Sequence, residues 1–187
     1  MKEAIRQVAL ELGFEDCRFT TAEAPESAEQ FLKWLEGQCP GTMKWMERNA
    51  AKRIDPQLVL EGARSVITLA ASYDSGSGEQ TEPCQGVIAR YSQYADYHDA
   101  LGQALGQLTS QVQSLAGEDA RSLWYVDTGP VLERDLGQRA GLGFIGKHTN
   151  LISRRLGNWF FISESLTTAE LEPDEPERNH CGKCTSC

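Results

Sequence analysis

VDTGPVLERDLGQRAGLGFIGKHTN, residues 126–150, is the stretch of sequence on which the fold depends. Residues 123–126 form an apolar run that predicts a short strand, and the quoted stretch begins at the last residue of this run. Apolar residues with helical spacing then predict a helix over residues 131–140, with Pro130 at its first position and Gly141 as its left-handed stop. Asp127 is therefore expected where a strand gives way to a helix, the position at which open α/β sheets bind ligands.

Asp127 has two interpretations. An acid just before a helix usually accepts a hydrogen bond from a first-turn N–H group, and this capping role is the more frequent one. A catalytic role is favoured by its surroundings, because no other acid in the chain follows an apolar strand so directly and a second chemical motif lies downstream. The residues alone leave both roles open.

Alternating helix and strand patterns predict the α/β class. The clearest strand is SVITLAAS at residues 65–72, whose unbroken apolar character predicts a central strand covered on both faces. Other predicted helices cover residues 1–13, 25–37, 43–48, 58–62 and 97–115, and other strands cover residues 17–20, 87–91, 151–153 and 159–163. We expect a central sheet of about three to five strands flanked by helices, with residues 1–170 as one domain.

The composition is that of a globular protein with an acidic balance. The chain has 187 residues, of which 40% are hydrophobic and 24% charged, and its net charge is −9. That balance argues against a broad nucleic-acid-binding surface. No apolar run approaches the ~20 residues of a membrane helix, and the N-terminal helix resembles neither a secretory signal nor a transit peptide. We expect a cytoplasmic location and no membrane association.

Three cysteines at the end of the chain form the second motif. Cys181, Cys184 and Cys187 have the spacing C-x2-C-x2-C, which is typical of iron–sulfur ligation in bacterial ferredoxins. Zinc and disulfides are the alternatives, but zinc more often uses two separate C-x2-C pairs, and an odd number of cysteines makes a poor disulfide set. An iron–sulfur cluster is the favoured prediction.

A cluster of four iron atoms needs a fourth ligand beyond these three cysteines. Either the chain is the front part of a longer protein, or Cys17, Cys39 or Cys84 completes the set. The first is our expectation, so that residues 171–187 begin a ferredoxin-like domain that continues beyond the chain.

Residues 141–146, GLGFIG, match the G-x-G-x-x-G pattern of dinucleotide-binding loops. That pattern requires a strand directly before it and a helix that starts within it. Here the predicted order is the reverse, because a helix precedes the glycines and a strand follows them. We do not expect nicotinamide or flavin binding, and we expect the glycines to let a tight loop approach a flat ligand.

Seven blocks occur in a specific order along the chain. They are RIDP at 53–56, GARSVI at 62–67, ARY at 89–91, DYH at 96–98, VDTGPVLER at 126–134, AGLGFIGK at 140–147 and the C-x2-C-x2-C motif. In this order the sequence resembles the epoxyqueuosine reductases, which complete queuosine synthesis in bacterial tRNA. The resemblance covers nearly the whole chain. One departure is His148, where the family is expected to carry Asn.

The resemblance implies a reductase that uses cobalamin, with two 4Fe-4S clusters in the full-length protein that pass electrons to cobalt. This chain is then the cobalamin-binding domain and the start of the iron–sulfur domain. The implied substrate is tRNA carrying epoxyqueuosine, bound mostly by parts outside this chain. The implied partners also include an electron donor, and we expect a monomer.

The resemblance also implies that Asp127 donates a proton to the departing epoxide oxygen. A donor must keep its proton near neutral pH. Burial beside Trp124, Val126 and the corrin face would favour the protonated form, whereas the positive end of the following helix would oppose it.

Besides Asp127, the candidate contacts of the cofactor are Arg53, Arg90, Lys147, Asn150, Leu151, Ser153 and Ile162. Two of them have plain alternatives: Arg53 could only pin the neighbouring Asp55–Pro56 turn, and Lys147 could be a solvated base. His98 lacks the Asp-x-His-x-x-Gly spacing of a cobalt-ligating loop, so we expect cobalt without a protein histidine ligand.

Two other functions stay open from the residues alone. One is an electron-transfer module whose cluster serves a partner, with Asp127 as a helix cap. The other is a zinc-containing adaptor that binds RNA.

Overall fold

Antiparallel strands form the centre of the computed structural model, which describes residues 1–37, 40–74, 86–117 and 119–185. The strands are β1 (Asp16–Thr21), β2 (Ser65–Ser72), β3 (Ser122–Val126), β4 (Phe144–Ile145), β5 (Leu151–Ile152) and β6 (Phe160–Thr167). The main sheet has the order β1-β2-β6-β3, and β4 and β5 form a separate hairpin. Every pair in the main sheet is antiparallel.

Helices cover both faces of the main sheet. They are α1 (Lys2–Glu11), α2 (Ala28–Glu36), α3 (Lys44–Arg48), α4 (Ala50–Ile54), α5 (Tyr97–Ala116) and α6 (Glu133–Arg139). On one face, apolar side chains of α1 and α5 form a core with Phe19, Ile67 and Leu69. On the other face, Leu136 of α6 packs with Val66 and Leu166. The predicted α/β fold with a central sheet flanked by helices is confirmed.

Strand β2 lies inside the sheet, as its apolar sequence predicts. It pairs with β1 on one side and β6 on the other, and all of its residues except Ser72 are buried. Asp55 caps the turn that follows it, because its carboxylate accepts a hydrogen bond from the N–H of Gln57 at 2.9 Å. The helix that follows is only a 3₁₀ turn, Pro56–Leu58, rather than a helix over residues 58–62.

Several local predictions are wrong. Residues 87–91 do not form a strand; residues 86–89 are irregular and Arg90–Ser92 is a 3₁₀ turn, and among the described residues no strand pairs with them. Helix α6 begins at Glu133 with Leu132 as its N-cap, so Pro130 lies outside the helix. The sheet is antiparallel. The position of a ligand site at Asp127 can therefore not be inferred from the rule that open sheets of parallel strands bind ligands where a strand gives way to a helix.

The segment that follows β6 is held against the sheet by backbone hydrogen bonds. The N–H of Leu171 donates to the Ser65 hydroxyl at 2.8 Å, and the N–H of Asp174 donates to the carbonyl of Phe19, also at 2.8 Å. Gly141, with a φ of +85°, lies so close to this segment that a Cβ atom would stand 2.3 Å from the carbonyl oxygen of Glu175. Residues 171–177 thus cross the domain before they reach the cysteines.

No helix in the described ranges is both long enough and apolar enough to cross a bilayer.

Asp174 joins this segment to α1 and β1. Its carboxylate contacts Lys2 Nζ at 2.7 Å and Arg6 Nη2 at 3.0 Å, and it accepts from the Phe19 N–H at 3.0 Å. Burial alone would raise the pKa of Asp174, but the hydrogen bonds from Lys2 and Phe19 and the charge of Arg6 lower it on balance.

We predict that Asp174→Ala lowers the free energy of unfolding by about 1–3 kcal/mol at neutral pH, because charged hydrogen-bond partners are lost. A lowered folded-state pKa gives stability that is present above the ordinary Asp value of about 3.9 and is lost as the pH falls below it. Urea unfolding across this range measures the effect. Glu172→Ala, at an exposed position of the same segment, is the control, and an equal loss in both variants would contradict the assignment.

Candidate active-site cleft

A cleft of about 420 Å³ opens where β3 ends and β6 begins. Aromatic and apolar side chains form much of its wall, and acids, amides and one arginine complete it. The lining residues are Tyr73, Tyr91, Tyr97, Asp127, Glu133, Arg134, Asn150, Leu151, Asn158, Phe160, Phe161 and Ile162. Since β3 pairs with β6 up to the Val126–Ser163 rung, the residue after Val126 emerges directly beside Ile162.

Asp127 occupies a tight turn at this edge of the sheet. The Thr128 N–H donates to the Val126 carbonyl at 2.5 Å, and Asp127 between them has a φ of +58°. This left-handed conformation is uncommon for a residue other than glycine. Gly129 is also required, because a Cβ atom there would lie 2.4 Å from Cγ of Tyr125.

Asp127 does not cap α6, which begins at Glu133 behind its N-cap Leu132. Its Oδ2 instead accepts a hydrogen bond from the Tyr97 hydroxyl at 2.9 Å. Trp124 does not cover Asp127, since Asp127 is exposed and the Trp124 ring lies over Gly102 of α5.

Tyr97 is fixed from two sides. Its ring stacks on Phe161 with centroids 3.9 Å apart and on His98 at 4.1 Å. Burial raises the pKa of Tyr97, and the hydrogen bond to Asp127 raises it further. The phenol therefore keeps its proton and acts as the donor that orients Asp127.

Two acids lie behind Asp127, one half-buried and the other fully buried. Glu133, the first residue of α6, lines the cleft, and burial raises the pKa of Glu133 to about 7. Glu164, in the middle of β6, is 0% exposed. Burial, followed by the nearby carboxyl groups of Glu133 and Asp127, raises the pKa of Glu164 well above its ordinary value.

Arg53 lies beneath the turn that carries Asp127. Its Nη1 donates to the carbonyls of Gly129 at 3.2 Å and Val131 at 3.0 Å, and the residue is buried. Its charge also favours the ionised form of Glu133. Arg53 therefore holds the turn after Asp127 and is not among the residues that line the cleft. The turn that it holds is not the Asp55–Pro56 turn next to it in sequence.

The structure brings some predicted cofactor contacts together and separates others. Asp127, Asn150, Leu151 and Ile162 all line the cleft.

Arg90, Lys147 and Ser153 are not among the lining residues. The Arg90 guanidinium lies 4.4 Å from the Trp159 ring centroid and pairs with Asp74, at the edge of the cleft. The Ser153 hydroxyl accepts from the N–H groups of Arg155 and Leu156 within the following turn. A role of these three residues in cofactor binding stays a prediction.

Lys147 contacts the cysteine-bearing segment instead. Its Nζ donates to the Cys184 carbonyl at 3.0 Å. Nearby, the His180 ring meets the Phe144 ring edge-on at 5.3 Å, and the Cys181 N–H donates to Asn179 Oδ1 at 2.8 Å. The β4–β5 region thus supports the segment on which the cluster is predicted.

The cysteines differ in their surroundings. Cys181 and Cys184 are free thiols near the surface, and Cys187 lies outside the described residues. Within the described ranges no group of three His, Cys, Asp or Glu residues converges as a metal site. Cys17 is buried, and burial raises the pKa of its thiol to about 12, as expected of an inert structural cysteine. Cys39 and Cys84 also lie outside the described residues.

The sequence reasoning missed Tyr97, Glu133 and Glu164. A signal existed for Glu164, because the alternation of β6 places it on the same face as the apolar Ile162 and Leu166. An acid on an apolar strand face is expected to be either paired or protonated. Tyr97 carries no comparable signal, since its partner lies 30 positions away.

Comparison with known proteins agrees with the fold. The family model described as "Epoxyqueuosine reductase QueG, DUF1730" matches residues 53–128. The epoxyqueuosine reductase of Gloeobacter violaceus is 42% identical over 98% of this chain and 57% of its own length. The chain is similar to epoxyqueuosine reductases over nearly its entire length. It spans about half the length of the curated family members that it matches.

Solved structures of epoxyqueuosine reductases share the fold of the entire chain. One of them, with a tRNA-Tyr epoxyqueuosine-modified tRNA stem loop, has a TM-score of 0.88 at 30% identity. The match covers 100% of this chain and 50% of the solved one. Another, from Bacillus subtilis, has its aspartate-bearing catalytic loop swung out of the active site; its TM-score is 0.87 at 29% identity, with the same coverage.

We predict that Glu164→Gln makes the folded protein less sensitive to rising pH. A raised folded-state pKa means that the folded protein binds a proton that the unfolded chain releases. Stability therefore falls as the pH rises above the ordinary Glu value of about 4.3. The amide of the variant cannot ionise, so the variant does not lose this stability. The free energy of unfolding of the variant minus that of the wild type should therefore increase as the pH rises.

Urea unfolding at a series of pH values measures this difference. Glu172→Gln, at an exposed position, serves as the matched control. Parallel stability curves for wild type and Glu164→Gln would show that Glu164 ionises normally in the folded protein.

Proposed function

We propose that this chain is the cobalamin-binding part of a reductase that converts epoxyqueuosine in tRNA to queuosine. The observation that carries the proposal is the family relationship over 98% of the chain, together with a cleft whose single exposed acid is held by a tyrosine. Family members matched over their common half are named as reductases of this substrate.

The lining of the cleft suits one face of a corrin ring. Phe160, Phe161, Leu151 and Ile162 offer an apolar surface for the macrocycle. The side-chain amides of Asn150 and Asn158 stand beside it and can exchange hydrogen bonds with the amides at the corrin edge. Such a mixture of apolar wall and few polar groups is typical of cofactor sites.

Cobalamin, when bound, supplies the electron transfer to the substrate. The protein supplies the remaining functions. Tyr97 orients Asp127 through its hydroxyl, Arg53 holds the turn behind Asp127, and the aromatic wall excludes water from the bound ring. With the cleft filled, the Asp127 carboxyl group would lose its contact with solvent.

Asp127 is the proposed proton donor to the departing epoxide oxygen. It is an exposed acid of the cleft, and its Oδ2 is oriented by the Tyr97 hydroxyl. A related structure whose aspartate-bearing catalytic loop can leave its active site supports a mobile acid at this position.

The thiols of Cys181 and Cys184, together with Cys187, are the proposed ligands of a 4Fe-4S cluster. Thiolates are the usual ligands of such clusters, and the spacing of these three is that of bacterial ferredoxins. Lys147 and Phe144 hold this segment near the hairpin that leads to the cleft. Electrons from a donor protein or small reductant would enter through this cluster and a second one outside the chain.

The proposed macromolecular substrate is tRNA carrying epoxyqueuosine. A related enzyme has been solved with such a stem loop. The net charge of −9 means that RNA contacts depend on local bases, such as Arg134 at the cleft, and on parts of the full-length protein beyond this chain. The cytoplasmic location and the monomeric state stay predictions.

The alternative of an electron-transfer module is not favoured. Such a module needs no cleft with an oriented acid, and the matched relatives are named as reductases. No specific observation favours the zinc-containing adaptor.

Two measurements on the full-length protein test the proposed function. After reconstitution with cobalamin, iron and sulfide, the protein should contain cobalt and iron and show a corrinoid absorption spectrum. With a low-potential electron donor it should convert epoxyqueuosine in tRNA to queuosine. Protein that binds no corrinoid, or that leaves the epoxide intact, would refute the proposal.

We predict that Asp127→Asn retains cobalamin but lowers turnover by about 100-fold or more, the usual contribution of a positioned proton donor. Asn is close in size and can still bond to Tyr97, so the loss reports on the proton. Asp119→Asn, at an exposed position away from the cleft, is the control. Near-normal turnover of Asp127→Asn would rule out the donor role.

A further inference from the structure

Glu164 has no partner for its charge in the described structure. It lies at the centre of the main sheet, between Thr68 of β2 and Tyr125 of β3 on the same face. It is 0% exposed, and neither carboxyl oxygen makes a hydrogen bond within the described residues. An isolated carboxylate in such a place is very unfavourable, so the group holds a proton.

Glu133 connects this interior acid to the cleft. Its Oε1 is buried and also lacks a hydrogen-bond partner among the described residues. The same side chain lines the cleft together with Asp127. Each of the three carboxyl groups is close enough to affect the ionisation of another: Glu133 and Asp127 act on Glu164, and Asp127 acts on Glu133.

The charged and titratable groups around this acid pair come from several elements. Arg53 of α4 and Arg134 of α6 favour the ionised form of Glu133, whereas Asp127 opposes it. Tyr125 faces Glu164 from β3, and burial raises the pKa of Tyr125, so that it stays neutral. Thr68 from β2 adds a hydroxyl group without charge. The surroundings thus allow one negative charge near Glu133 and leave Glu164 neutral.

We infer that Glu133 and Glu164 form a proton store behind the cleft, and that Glu133 returns a proton to Asp127 during each turnover. This inference rests on the proposed function. Glu133 is the residue that transfers the proton. Glu164 stays protonated in the interior and so adds no negative charge beside Glu133.

The reaction requires more protons than Asp127 alone can supply. Removing the epoxide oxygen breaks both of its bonds to carbon, forms a carbon–carbon double bond and releases the oxygen as water. The balance is two electrons, supplied by the low-potential donor through the proposed cofactors, and two protons. Asp127 gives the first proton to the epoxide oxygen and becomes a carboxylate, so it must be recharged before the oxygen can leave as water.

Glu133 can recharge Asp127 because both side chains line one open cleft. The cleft has room for a water molecule, which can bridge two carboxyl groups that do not touch. Negative charge that enters with the electrons favours proton movement from the interior towards Asp127. The pair then regains its proton from solvent through the same cleft once product has left.

Infrared spectroscopy of the full-length holoenzyme tests the store without relying on activity. The wild type should show a protonated carboxyl band at neutral pH, part of which disappears as the pH passes about 7, the pKa to which burial raises Glu133. Glu133→Gln should remove the titrating part, and Glu164→Gln should remove a part that persists at higher pH. The absence of any protonated carboxyl band at neutral pH would overturn the inference.

Kinetics test the transfer itself. Glu133→Gln should lower kcat by about 10–100-fold, since proton transfer by a positioned side chain contributes at least this much. Cobalamin content and the KM for tRNA should not change. In the wild type, kcat should fall as the pH rises above about 7, whereas the variant should lose this dependence. Glu133→Asp, which keeps the carboxyl group, should recover part of the activity.

Glu172→Gln, on the exposed C-terminal segment, should keep both the wild-type kcat and the wild-type pH profile. A wild-type enzyme that does not reduce the epoxide refutes the proposed function. An active wild type whose Glu133→Gln variant has the same kcat and pH profile refutes the proton store alone. If Glu133→Gln does not fold, Glu164→Gln and the infrared titration of the wild type still decide the question.

Discussion

The pairing of β3 with β6 is the constraint on which the cleft depends. It ends at the Val126–Ser163 rung, so the next residue of β3 must leave the sheet in a tight turn. That turn presents Asp127 to the Tyr97 hydroxyl from the start of α5. The same pairing places the buried Glu164 opposite Tyr125, one rung before the last. One antiparallel ladder therefore fixes both the exposed acid and the acid behind it.

Patterns that are local in the sequence predicted much of the fold. The apolar run of β2 identified a central strand, and the junction after Val126 identified Asp127, because strand character and turn residues act over a few neighbouring positions. The same reasoning failed at residues 87–91, where β-forming residues have no strand to pair with. It also placed Pro130 in a helix, although the turn around Gly129 and its packing against Tyr125 delay α6 to Glu133.

The candidate site was harder to predict because its contacts join distant parts of the chain. Lys147 is close in sequence to the cleft residues Asn150 and Leu151. Its Nζ nevertheless donates a hydrogen bond to the carbonyl of Cys184, 37 positions later. Arg53 stabilises the turn at Gly129 and Val131 from 76 and 78 positions away. Such contacts depend on how the sheet and helices pack, which periodicity does not encode. Family resemblance named Asp127, whereas only the packed structure associates Glu133 and Glu164 with it.

The left-handed backbone at Asp127 has a consequence for access to the cleft. Holding a non-glycine residue at a φ of +58° stores roughly 1–2 kcal/mol of steric strain. A hydrogen bond to a charged group offsets a similar amount, about 1.5–3 kcal/mol. The hydrogen bond from Tyr97 thus nearly balances the strain at Asp127, and the hydrogen bonds from Arg53 to Gly129 and Val131 hold the rest of the turn in place. The Asp127 carboxyl group can therefore leave the Tyr97 hydroxyl at little net cost in free energy while the sheet stays intact.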